Sequence, residues 1–222
     1  MDWNLLLYSA PGIVFGLTVH EYAHAWTADK LGDPTAKNQG RLTLNPLRHL
    51  DLLGCLFLVF AGFGWAKPVV FNPNNLSRLR RDRALIAAAG PFSNLLLAAL
   101  LMFLLMKFSA LMGRAAPGDA LSSFVETHEH AVDMAVKMVF TGASINLGLF
   151  VFNLIPLPPL DGSHIVFCGL NLSPAFESAL TKIGVVALVA VLIIERQTGA
   201  DILPIGKMVH AIVRFVFPHI GA

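Results

Sequence analysis

This chain has little charge. Asp, Glu, Lys and Arg together make up 14% of its 222 residues, against about 25% in a typical soluble protein. Hydrophobic residues make up 55%. So few charges leave too little polar surface to coat a water-soluble globule, and a lipid-facing surface is the natural reading. An excess of one sign is lacking too. The net charge is +2, and no basic stripe is interleaved with aromatics, which argues against a nucleic-acid partner. Cysteine is scarce: Cys55 and Cys168 stand far apart in apolar surroundings, which suggests buried or lipid-side thiols more than a disulfide framework. The first residues lack a basic n-region and a small-x-small cleavage site, so the opening apolar run reads as a retained membrane helix. No tandem repeat and no low-complexity tract occurs.

What is there is a series of apolar runs. Residues 5–27 are long enough to span a hydrocarbon core, which takes about 20 helical residues. Residues 29–50 are polar, and the alternation Arg41-Leu42-Thr43-Leu44 suggests a short strand. Residues 52–65 are apolar but too short for an ordinary span, which fits a re-entrant segment. Lys67 to Pro73 reads as an extended piece closed by a turn. Further spans are expected at 84–106, 131–154 and 179–194, with a loop at 108–130. In residues 202–217, Lys207, His210 and Arg214 recur every three or four positions, which favours an amphipathic surface helix over a span. The expected fold is an all-α membrane bundle of about 4–6 transmembrane or re-entrant helices, with a small β-containing segment on the cytoplasmic side. It forms one polytopic domain over residues 1–222, with a catalytic core at 5–170 and C-terminal helices at 178–218.

Charge orients the bundle. Lys30, Lys37, Arg41, Arg48, Lys67, Arg78, Arg80, Arg81 and Arg83 lie between residues 28 and 83, whereas 108–130 holds Arg114 alone. By the positive-inside rule the 28–83 loop is cytoplasmic. His20, His24 and Asp161 then reach the same, cytoplasmic side of a plasma membrane.

His20-Glu21-Tyr22-Ala23-His24 is an H-E-x-x-H pattern. On a helix, positions i and i+4 project from one face, so both imidazoles can reach one ion. Glu21 stands beside the first ligand, placed to act as general base toward a water at the metal. Ionisable residues inside an apolar span are expensive and usually functional. Catalytic zinc takes three protein ligands and keeps one position open. Asp161, in Pro158-Pro159-Leu160-Asp161-Gly162, is the best-placed third ligand: the prolines keep the stretch out of a regular helix, and Gly162 permits close backbone approach. Taken alone, Asp161 suits a turn or helix N-cap equally well.

These residues bring a family into view. His20–His24, Gly40-Arg-Leu-Thr-Leu-Asn-Pro46, Gly64-Trp-Ala-Lys-Pro-Val69, Ala89-Gly-Pro-Phe-Ser-Asn94 and Asn153 through Gly162 stand in the same order as in the site-2 protease (M50) family of intramembrane metalloproteases. The chain resembles that family, in particular its short forms without a PDZ or CBS domain. The resemblance implies one zinc ion per chain, held by His20, His24 and Asp161, with Glu21 as base. It also implies that Asn153 lies near the scissile carbonyl as a substrate-binding or oxyanion-stabilising group. The implied partners are the lipid bilayer and a membrane-protein or peptide substrate. His164 is not expected from the motif, and an extra ligand or a hydrogen-bonded helix-start histidine are its two readings. Asn94 either faces the site or serves tight packing beside Gly90. His49, His128, His130, His210 and His219 show no pairing pattern and read as surface or interfacial residues. The competing functions are a metal transporter or sensor with the same ligands, and a non-catalytic scaffold of the same fold.

Overall fold

Helix α1 (Trp3–Lys30) carries the H-E-x-x-H residues, and one periodicity explains which way they face. Gly12, Gly16, His20, His24 and Ala28 are all buried. They recur every fourth residue and so form a single protein-facing stripe, while Phe15 and Trp26 are exposed. The computed structural model describes residues 3–61, 64–170 and 172–216.

Beyond α1 the chain turns through Gly32, at φ 100°, a left-handed conformation that suits glycine, into the short α2 (Thr35–Asn38). Asp33 is fully buried and fastens the surrounding loops. It accepts hydrogen bonds from the Thr35 amide at 3.1 Å and hydroxyl at 2.5 Å, the Asn72 amide at 2.7 Å and the Asn75 side-chain amide at 2.7 Å. Helix α3 (Leu52–Ala61) is apolar, with Leu52, Leu53, Phe57 and Phe60 exposed. Its ten residues reach about 15 Å, half a hydrocarbon core. The chain then folds back, with Gly54 packed directly on the Trp65 backbone and Gly64 on Leu58.

The expected strand at Arg41–Leu44 does not form. Among the described residues the pairing is one antiparallel bridge, Leu50 to Ala66, extended by the Lys67 amide donating to the His49 carbonyl at 2.7 Å. Residues 41–44 cannot offer a ladder, because Arg41 turns inward to the Lys67 carbonyl and His49 Nε2 engages the Thr43 carbonyl at 2.7 Å. His49 is accordingly fully buried, not at the surface as its sequence context suggested.

Helices α4 (Leu79–Met112), α5 (Ala120–Thr127) and α6 (Glu129–Asn153) follow. The stretch 108–130 is thus not a plain loop. Asp119 caps α5 by accepting from the Ser122 amide at 2.7 Å, a local hydrogen bond that satisfies one free helix-end donor. The proline-rich linker leads to α7 (Asp161–Gly169), then α8 (Pro174–Thr198) and α9 (Ile205–Val216). On α9, Ile205, Val209, Ile212 and Val213 turn inward while Lys207, His210 and Arg214 are exposed. Its twelve described residues are fewer than the about 20 that cross a hydrocarbon core, and this two-faced pattern is that of an amphipathic helix. Phe217 and His219 lie outside the described residues.

Helices α1, α4 and α6 pack together, with α7 against α4 and α9 against α6. The apolar core joins Ala98 and Met102 of α4, Ala143 and Leu147 of α6, and Val213 of α9. Among the described residues three helices, α4, α6 and α8, are long and apolar enough to cross a membrane. Large apolar side chains such as Leu96 (71% exposed) and Val186 (70%) point outward from them. That surface would be penalised in water and is at home in lipid. α1 has the length of a span at 28 residues, but its apolar run is interrupted by His20, Glu21 and His24.

Candidate functional site

The stripe on α1 delivers His20 and His24 side by side, their Nε2 atoms 3.0 Å apart. Asp161, the first residue of α7, comes in from across the bundle. Its Oδ2 lies 3.2 Å from His20 Nε2 and 3.5 Å from His24 Nε2. The linker before it turns sharply, and Gly162 packs against the Leu154 backbone so closely that a Cβ there would meet it. One ligand atom from each of the three residues lies within 4.8 Å of the others.

Whether this cluster suits a cation is answered by the far side of each ring. His20 Nδ1 donates to Asn94 Oδ1 at 2.6 Å, and His24 Nδ1 donates to the Ile86 carbonyl at 2.7 Å. With those protons committed, both Nε2 atoms present lone pairs. Asp161 Oδ2 is buried and has no hydrogen-bond partner. Three electron-pair donors converging in a buried space repel one another unless a positive ion sits between them. Two imidazoles and a carboxylate are the donor set of an open zinc site, and outer hydrogen bonds to the ring N–H groups are its usual support. His20, His24 and Asp161 therefore fit a zinc ion. Gly90 of α4 makes room for them, since a Cβ there would lie 2.7 Å from His20 Cε1.

Glu21 is buried next to this cluster. Its Oε2 accepts from the Val69 amide at 2.9 Å and lies 4.0 Å from Arg41 Nη2. Arg41 also donates to the Lys67 carbonyl, so one buried guanidinium ties the extended 67–69 segment to the carboxylate of α1. Asn153 closes α6, with Nδ2 donating to the Leu149 carbonyl at 2.9 Å. His20, Glu21, His24, Asn153 and Asp161 line one cavity of about 840 Å³, walled by the 64–71 segment and by Val185, Leu188, Val189 and Leu192 of α8; Arg41 stands behind it.

The structure thus brings His20, Glu21, His24, Asp161 and Asn153 to one place. His164 lines the same cavity but is not among the converging ligand atoms. Burial holds its imidazole below the ordinary histidine pKa, and its ring stands edge-on to Phe167 at 6.4 Å. Asn94 combines the two readings its sequence left open, bonding His20 from outside the cavity while its Nδ2 donates to the Gly16 carbonyl in the close packing of α4 on α1. Arg41 and Asn146 were not singled out by sequence reasoning. Asn146 had a visible signal, a carboxamide in the middle of an apolar span. Arg41 stood inside a motif but carried no sign of its contact with Glu21.

Comparison with known proteins agrees with this geometry. The profile of Peptidase family M50 matches residues 8–191. A Bacillus subtilis protein named "Putative zinc metalloprotease YwhC" is 40% identical over 163 residues, covering 73% of this chain and 69% of that one. Proteins named "Putative zinc metalloprotease Rip2" are 31% identical in Mycolicibacterium smegmatis and 32% identical in Mycobacterium tuberculosis. Those alignments cover 76% and 82% of this chain, and 59% and 64% of the relatives. No solved structure matches the chain. With the family profile spanning most of the sequence and the metal-ligand cluster at its centre, the chain belongs to peptidase family M50, the site-2 protease family.

Proposed function

We propose that this protein is an intramembrane zinc endopeptidase, hydrolysing peptide bonds in transmembrane or membrane-proximal segments of other proteins. The observation that carries the reading is the juxtaposition of Glu21 with the convergent His20, His24 and Asp161 in one apolar-walled cavity. A transporter needs the ligands but has no use for a carboxylate anchored beside them.

When bound, zinc would act as a Lewis acid on the scissile carbonyl and lower the pKa of water toward about 7. Glu21 takes a proton from the attacking water as its oxygen bonds to the carbonyl carbon. The same carboxyl then gives that proton to the amine nitrogen as the C–N bond breaks. The Val69 amide and Arg41 hold Glu21 in place for both transfers. Asn153 donates to the carbonyl oxygen as charge develops there. One of its two amide N–H groups is engaged by Leu149, which leaves the second for a ligand. A substrate helix must unwind locally to react, because its carbonyls are otherwise shielded and already hydrogen-bonded. The basic 28–83 segment supports a site on the cytoplasmic side of the plasma membrane.

The test is zinc content together with cleavage of a model transmembrane peptide by protein purified in detergent, wild type beside Glu21→Gln. We expect near-stoichiometric zinc in both and a loss of about 10²–10⁴ in cleavage rate for the variant, the range for a general base. Zinc in both with cleavage in neither would favour a metal-handling role. Equal cleavage by both would sink the role given to Glu21.

A further inference from the structure

Two asparagines lie fully buried in the middle of apolar helices, Asn94 on α4 and Asn146 on α6. A buried carboxamide in such a segment costs free energy unless its donors and acceptors are paired. Here the two are paired in series. Asn146 Nδ2 donates to the Gly142 carbonyl at 2.8 Å and the Gly12 carbonyl at 3.4 Å. Asn146 Oδ1 accepts from Asn94 Nδ2 at 2.8 Å, and that nitrogen also donates to the Gly16 carbonyl at 3.1 Å. Asn94 Oδ1 accepts from His20 Nδ1 at 2.6 Å.

The direction of this chain is fixed by its far end. Backbone carbonyls only accept, and those of Gly12, Gly16 and Gly142 all face amide nitrogens, so both carboxamides have one satisfiable orientation. His20 must then carry its proton on Nδ1 and present a lone pair from Nε2 toward Asp161. Were Asn94 to turn over, its NH₂ would face Nδ1 and the ring proton would move to Nε2, into the space the metal needs. The glycines are part of the device. A Cβ at Gly16 would lie 2.7 Å from Asn146 Oδ1, and one at Gly12 would lie 2.5 Å from Gly142 Cα. Without those side chains α1 can approach α6 closely enough to lend its carbonyls.

We infer that Asn146 is a positioning residue of the metal centre: it touches no ligand, yet by orienting Asn94 it sets the tautomer of His20. The inference rests on the zinc reading of His20, His24 and Asp161. It distinguishes Asn146 from an ordinary packing residue, whose loss would lower stability without changing which ring nitrogen holds the proton.

The experiment compares wild type, Asn146→Leu and Asn146→Asp in detergent. Zinc affinity is measured by competition with a chromogenic chelator, and the His20 tautomer by ¹⁵N spectra of zinc-free, histidine-labelled protein. Leucine keeps the size and removes the hydrogen bonds. Aspartate, buried among carbonyls and away from any cation, stays protonated and keeps both a donor for Gly142 and an acceptor for Asn94. We expect zinc to bind about tenfold or more weakly in Asn146→Leu, the usual cost of losing an outer hydrogen bond at a metal site. Its His20 signal should become a mixture of tautomers. Asn146→Asp should stay within about threefold of wild type on that scale. Should the leucine variant not fold, Asn146→Ala takes its place with the same expectation. Wild-type affinity in the leucine or alanine variant overturns the inference, and so does an aspartate variant that loses as much as they do. A wild type that binds no zinc would overturn the metal centre itself, which the affinity ratios alone cannot do.

Discussion

Asn153 shows how far one side chain can be read. The resemblance assigned it to the scissile carbonyl, and in the structure it lines the cavity that holds Glu21 and the ligand cluster. Its carboxamide is half-buried at the end of α6, with one donor committed to Leu149. Asn153→Ala should therefore lower kcat about 10²–10³-fold, the cost of one oxyanion donor, while zinc content stays at the wild-type level. Steady-state cleavage of the model peptide beside metal analysis checks it, and a variant with normal kcat would remove Asn153 from the reaction. At this scale the H-E-x-x-H pattern was legible because ligand spacing on a helix is a local property, whereas Asp161 suited a turn or helix N-cap equally well until the resemblance joined it to the histidines. Asn94 was half-legible, and the part played by Arg41 was not. The contact of Arg41 with Glu21 joins residues 20 positions apart, and no periodicity encodes it.

At the scale of elements, the long spans were readable from apolar length alone, whereas the pieces between them were set by contacts that the sequence does not show. The alternation at 41–44 looked like a strand but has no partner to pair with. The actual bridge, Leu50 to Ala66, accompanies the packing of Gly54 in α3 on the Trp65 backbone. α5 begins at an aspartate cap that was overlooked beside Pro117-Gly118. The turn after α1 is tied to the 72–75 segment by Asp33. Burial alone would raise its pKa, but the hydrogen bonds from Thr35, Asn75 and Asn72 outweigh that and hold it below the ordinary carboxylate value. The sign follows directly. Asp33 is ionised in the folded protein, so its stabilisation is complete above the unfolded pKa of about 3.9 and is lost as pH falls through the lower folded value. Asp33→Asn should cost about 1.5–3 kcal/mol, as for hydrogen bonds to a charged group, at pH 6–8. The gap in thermal midpoint between wild type and variant should narrow below about pH 4. A gap independent of pH would mean that the carboxylate charge is not what holds the loop.

For the molecule as a whole, the lipid-facing surface and the distribution of basic residues make a claim about sidedness. α4 runs once from the basic 28–83 segment to the loop beyond Met112. Exposed positions on either side, Asn38 and Ala116, should therefore be reachable from opposite faces of the membrane. In a background with Cys55 and Cys168 replaced by serine, a membrane-impermeant maleimide on intact cells should label Ala116→Cys and spare Asn38→Cys. Permeabilised cells should show both. The reverse pattern would invert the orientation and put the catalytic cluster on the outer face.

The anchor of Glu21 has a genetic consequence. Its hydrogen-bond partner is the main-chain amide of Val69, and a main-chain donor survives any side-chain truncation. An alanine scan through residues 67–71 would pass over this contact with Glu21 without a signal. Proline is the one coded residue that deletes the N–H. We expect Val69→Ala to cleave at close to the wild-type rate and Val69→Pro to lose about a hundredfold, the scale of a misplaced catalytic group, with zinc retained in both. For this protein the informative scan is written in prolines, and the residue whose amide anchors Glu21 will look dispensable to every other kind of library.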